Sequence, residues 1–181
     1  MSVNGLTLQN SAGSLPFVPL GDEVVSGPTP VVKVRLWPVT EDRKPLRKSS
    51  TPDLEFPGRL FITSQRLVFL NSTNTHAVRN LVILYRQLTL SGTEQTPIGF
   101  GMPWFGPNYL KFSFNVLPEQ SLHNGPWLDP IHAWQCELTL QNGSGPIRDL
   151  FQLHDLINAV MASSRTSVPP EDDEQLPQYT P

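Results

Sequence analysis

Cysteine is almost missing from this chain: Cys136 is the only one in 181 residues. No disulfide can form within it, so a reducing address, nucleus or cytoplasm, is expected. Long apolar runs are missing as well. No window approaches ~18 uninterrupted apolar residues, so no membrane-spanning helix is expected. The N-terminus has no basic stretch followed by an apolar run, so no signal peptide is expected there. Clustered metal-binding chemistry is also scarce. His76, His123, His132 and His154 are scattered, with no metal-ligand spacing to one another or to Cys136. There is no Gly-x-Ser-x-Gly and no phosphate-binding glycine loop. The one dense carboxylate run, Glu171 to Glu174, falls outside every predicted element. The reading is a non-enzymatic chain with no catalytic residue, metal site or cofactor.

Proline is abundant instead, at nineteen residues. Many connections must therefore be irregular, and helix cannot dominate. Charge is unevenly placed. The stretch from Val31 to Leu90 holds ten of the thirteen Lys/Arg and four of the sixteen Asp/Glu, so it is +6 against −9 elsewhere. Such a basic middle either solvates strand edges or meets an anionic partner.

The apolar pattern has a period of two through most of the chain. Val31 to Trp37 alternates apolar and charged residues, which predicts a half-buried strand closed by Pro38. Residues 40–52 read as a charged loop. Gly58 to Leu70 reads as strand, tight turn at Ser64-Gln65, and a second strand buried on both faces. Leu81 to Tyr85, Tyr109 to Val116 and Ala133 to Leu140 predict further strands. Pro146 opens a helix at its favoured first position. Ile147, Leu150, Phe151, His154, Ile157, Val160 and Met161 recur at helical spacing on one face. His154 on that face reads as a packing histidine. After Ser163 the chain is acidic and proline-rich, too polar to order itself.

The predicted organisation is a partly ordered arm at 1–20, a domain at 21–163 and a disordered tail at 164–181. The fold class is mainly β: about seven antiparallel strands as a barrel or sandwich, with one C-terminal helix to plug an open end. The hairpin Gly58-Arg-Leu-Phe-Ile-Thr-Ser-Gln-Arg-Leu-Val-Phe-Leu70 resembles the Gly-x-Leu-Tyr-Leu-Thr-x-x-Arg-Val-Ile-Phe-Leu hairpin of GRAM domains, within the pleckstrin-homology-like superfold. Met102-Pro-Trp-Phe-Gly-Pro-Asn-Tyr-Leu-Lys111 is similar to the Pro-x-Phe-Gly-x-Asn-Tyr-Ile-Lys stretch of the WW-domain-binding protein family. The two motifs come in that family's order, and the resemblance covers roughly residues 15–163. It implies a GRAM domain followed by a tail that binds WW domains, and a role as a transcription coactivator. The chain departs from the family in two ways. It has no long Pro/Tyr-rich tail with Pro-Pro-x-Tyr, and it carries a basic insertion around Arg43 to Lys48.

Three sets of residues are candidate sites. The first is the tail motif Leu176-Pro177-Gln178-Tyr179. A WW domain has one groove for a proline in polyproline II conformation and another for a tyrosine two residues on. Pro177 and Tyr179 have that spacing, with Leu176 before them. The expected partners are WW-bearing ubiquitin ligases or transcriptional regulators. The second set is the aromatic loop Trp104, Phe105 and Tyr109, which either packs into the core or rim or faces a protein partner. The third is the basic set Arg43, Lys44, Arg47, Lys48, Arg59 and Arg66. It makes a peripheral membrane module binding anionic phosphoinositides the alternative function. Direct DNA readout is not expected, because no helix carries a basic face; chromatin would be reached only through partners.

Overall fold

The computed structural model describes residues 2–9, 15–40, 42, 44–46, 54–73, 78–90, 96–118, 130–140 and 147–166. The alternation read from the sequence becomes one antiparallel sheet. Its strands are β1 (Ser2–Val3), β2 (Val31–Val39), β3 (Leu54–Ile62), β4 (Arg66–Asn71), β5 (Asn80–Leu84), β6 (Leu88–Thr89), β7 (Ile98–Gly101), β8 (Tyr109–Asn115) and β9 (Ala133–Leu140). The spatial order is β1-β5-β4-β3-β2-β9-β8-β6, with β7 also on β8. β6 pairs with the far end of β8 (Leu88 with Phe114) and β7 with its near end (Ile98 with Phe112). The two are thus one edge strand interrupted by an excursion. The C-terminal helix, α1 (Ile147–Thr166), follows the last strand and runs three residues past the boundary read at 163.

β5 and β6 lie on opposite flanks of the sheet but are joined by a single turn of 3-10 helix, Tyr85–Gln87. The sheet must therefore curl until its flanks meet at that corner. Gln87 clips them together. Its side-chain carbonyl accepts the Leu84 N–H (3.1 Å), and its amide donates to the Asn115 carbonyl (3.1 Å). The inner face of the curled sheet and α1 enclose the main core. Every strand contributes, from Val34 and Leu36 on β2 to Trp134, Cys136 and Leu138 on β9.

Pro38 does not close its strand: it pairs with Trp134 inside β2. The sheet tolerates it because β3 stops pairing at Leu36. The Pro38 carbonyl faces that vacated side, where it accepts the Leu46 N–H at 3.1 Å, so the missing N–H costs no ladder bond. The helix face also differs from the expected one. Leu150, Leu153, Ile157 and Met161 are its buried residues. Ile147 and Phe151 are largely exposed, and Phe151 lies against Phe100 of β7 instead (4.4 Å between ring centroids). His154 packs on Phe100 and is hydrogen-bonded through Nε2 to the Ile98 carbonyl (3.1 Å), a packing histidine as expected.

The N-terminal arm belongs to the fold. Ser2–Val3 pairs with β5, and Leu8 bridges to Phe17. Phe17 is fully buried over the outer face of β3, β4 and β5, against Phe61, Val68 and Val82. Its ring meets Phe61 edge-on at 5.3 Å.

Candidate functional site

The β7–β8 connection, residues 102–108, is where the chain leaves its largest apolar side chains in water. Trp104 is 99% exposed, Phe105 92% and Met102 62%. The loop is held rather than loose. Four residue pairs of β7 and β8 stay in register up to Gly101 with Tyr109. Pro103 and Pro107 fix two backbone angles within it. Gly106 takes φ +103°, a left-handed value that favours glycine. Gly101 is glycine for a different reason: a Cβ there would sit 2.1 Å from the Tyr109 ring. The ring of Tyr109 thus lies across the base of the loop, and its hydroxyl donates to Glu137. Burial, with the Glu137 charge, pushes the phenol above its usual range.

Beside this base the outer face of the sheet carries a row of charges. Register places Glu55, Arg35, Glu137 and Lys111 in line across β3, β2, β9 and β8, with alternating sign. One step along, Lys33 pairs with Glu55. Partial burial pushes the Glu137 carboxyl above the usual carboxylate range, against the pull of Arg35, the Tyr109 hydroxyl and Lys111. A groove of about 300 Å³ runs between this row and the loop, lined on one side by Pro103, Phe105 and Tyr109 and on the other by Lys33, Arg35 and Glu55.

Of the aromatic set, Trp104 and Phe105 are therefore exposed and Tyr109 supports them from below. Of the basic set, the three described members, Lys44, Arg59 and Arg66, do not come together. Arg66 is buried and engaged: its Nε and Nη2 donate to the two carboxylate oxygens of Glu23, each at 2.7 Å. Glu23 also accepts from the Thr63 hydroxyl (2.6 Å) and the Leu20 N–H (2.8 Å). Burial opposes the charged form of Glu23, but these bonds outweigh it and hold the carboxyl below its usual range. Buried, with its charge met by a bidentate carboxylate, Arg66 is withdrawn from the anion-binding set. Arg59 is exposed, but it pairs with Val31, whereas Lys44 follows Val39 at the other end of β2. Eight residues of strand put those two ends roughly 26 Å apart, so the two cations do not share a surface. Arg43, Arg47 and Lys48 lie outside the described residues, as do Leu176, Pro177 and Tyr179.

Sequence reasoning missed Glu23. A signal was available: Arg66 opens a strand whose next three residues are apolar and buried on both faces. A cation there needs an anion. Cys136 is fully buried, and burial pushes its thiol well above the usual range, so the thiolate form is disfavoured. Among the described residues, no cluster of three or more His, Cys, Asp or Glu is placed to hold a metal ion, and no helix is long and apolar enough to cross a membrane.

No family model matches this chain. No curated protein matches it. Among solved structures, a chain of the 8S snRNP assembly intermediate is similar at 14% identity over 88% of this chain and 94% of its own, with a TM-score of 0.47.

Proposed function

We propose that this chain is a non-enzymatic adaptor, a divergent member of the WW-domain-binding protein type built on a GRAM, pleckstrin-homology-like domain. The domain is the platform. The Leu176-Pro177-Gln178-Tyr179 motif is the ligand for a WW domain on a ubiquitin ligase or transcriptional regulator. Coactivation in the nucleus, or scaffolding in the cytoplasm, follows from which partner is engaged. Seven strands remain when the two-residue β1 is set aside and β6 and β7 are counted as one, and a C-terminal helix closes them; this supports the domain assignment.

The observation that carries the adaptor reading is the 102–108 loop. A tryptophan and a phenylalanine held almost wholly in water on a proline-stiffened hairpin form a recognition element. They are presented by the segment whose sequence led to the family resemblance. The charged side chains nearby pair with one another across strands, which suits a scaffold.

The test is binding of a peptide spanning Val168 to Pro181 to a panel of WW domains, with Tyr179→Ala as control. The expected result is micromolar binding that the control loses. Phosphorylation of Tyr179 is expected to weaken it, because charge enters an apolar groove. No binding across the panel overturns the assignment of the tail.

A further inference from the structure

We infer that the Met102–Phe105 tip inserts into the interfacial layer of a phospholipid bilayer, so that the domain docks on a membrane through this hairpin. The inference rests on the tip being a recognition element and is independent of what the tail binds.

Four observations favour a lipid surface. From Ile98 to Leu110 the chain has no Asp, Glu, Lys or Arg, so nothing charged must be desolvated when the tip enters a headgroup layer. Trp104 and Phe105 project at the extreme end of the hairpin, 99% and 92% exposed, and tryptophan favours the membrane–water boundary. Pro103, Pro107 and the Gly101–Tyr109 contact hold the loop before it binds, which lowers the ordering cost of insertion. Two more apolar side chains are part-exposed on the helix beside β7: Phe151, 41% exposed, packs on Phe100, two residues before Met102, and Ile147 one turn earlier is 44% exposed.

A protein partner fits the same surface less well. A stable protein interface takes about 800 Å² from each side and has an apolar centre. Here the apolar part is a narrow projection, and the surface beside it is the row of alternating charges. Lys33 and Arg35 lie beside Glu55 and Glu137 along one wall of the groove, so the groove carries no net charge to steer a partner. A bilayer requires only a few apolar side chains and no matching shape.

The same balance sets the salt dependence. Attachment through the tip is apolar and persists in salt, whereas attachment through a basic loop is screened away.

The experiment is co-sedimentation of the full chain with vesicles of phosphatidylcholine and phosphatidylserine, at low salt and at about 0.5 M salt, where the Debye length falls below roughly 5 Å. Wild type is expected to pellet in both. The Trp104→Ala/Phe105→Ala variant is expected to partition about tenfold less or weaker still, which corresponds to about 1.4 kcal/mol. Its thermal midpoint should match wild type, because both side chains lie in water. Quenching of tryptophan emission by lipids brominated in the tails, strong in wild type and reduced in Trp104→Phe, gives the same answer without truncating the tip. Wild type left in the supernatant overturns the inference and returns the tip to a protein partner. So does binding that the double variant keeps, or binding that high salt abolishes.

Discussion

The outer face of the sheet has two halves built by the same alternation and used in opposite ways. Over β3, β4 and β5 the outward residues are Phe61, Val68 and Val82, and the N-terminal arm covers them with Leu6, Phe17 and Val25. At the border of that cover, Arg66, Glu23 and Thr63 satisfy one another in the interior. Over β2, β9 and β8 the outward residues include Arg35, Glu137 and Lys111, which reach water in part, with the Arg35 guanidinium over the buried Trp37 ring at 5.2 Å. Identical backbone geometry thus yields a covered face and an exposed face. What differs is whether the side chains can pay for burial. An arginine is a fold determinant when a carboxylate meets it away from water, and a surface charge of small energetic worth when it does not.

The sharpest way to break this contrast is to remove one partner of the buried pair. Arg66→Ala strands the Glu23 carboxylate, and a loss of about 3–5 kcal/mol is expected in chemical denaturation. Next is the cover itself. Phe17→Ala opens a cavity above Phe61 and removes an aromatic contact, for a loss of about 3 kcal/mol with the sheet still formed. On the exposed face, Trp104→Ala or Phe105→Ala should move stability by no more than about 0.5 kcal/mol, since neither side chain is buried.

The two carboxylates also predict opposite pH dependences. Glu23 titrates below its ordinary 4.5 in the folded chain. Its contribution is therefore complete above that value and is lost as pH falls through the lower folded value. Glu137 titrates above 4.5 in the folded chain. Its contribution is most favourable below 4.5 and is lost as pH rises through the higher folded value. Unfolding midpoints measured across about pH 3 to 7, a range that brackets the ordinary carboxylate values of about 4, should show Glu23→Gln flattening the acid limb and Glu137→Gln flattening the limb above it.

Much of this was legible in the residues. Lys33 and Arg35 alternating with Val32, Val34 and Leu36 dictate a strand with one wet face. The turn read at Ser64-Gln65 was marked by the break between two apolar runs, and the strands do end at Ile62 and restart at Arg66. The helix was legible as an element, but its orientation was not. Phe151 and His154 lie near the same stripe as Leu150 and Ile157, and only the position of β7 decides that they flank Phe100 instead of entering the core. The Glu23–Arg66 pair spans 43 positions and has no periodicity to announce it. Exposure of Trp104 and Phe105 was open for a related reason: an aromatic loop with prolines and glycines is written the same way whether it folds inward or stands out. Of the basic set, the described members stand apart because the strands carry them so: Arg66 lies inside against Glu23, and Arg59 and Lys44 sit toward opposite ends of β2.

The most direct test of the adaptor account is to ask whether the chain bridges two partners at once. A fluorescent WW domain that binds the tail peptide is mixed with phosphatidylcholine–phosphatidylserine vesicles, with and without the full chain, and the pelleted fluorescence is read. The account predicts that the WW domain pellets only when the chain is present, and that either Tyr179→Ala or Trp104→Ala/Phe105→Ala abolishes this. A WW domain that stays in the supernatant with wild type, or pellets equally with both variants, contradicts it.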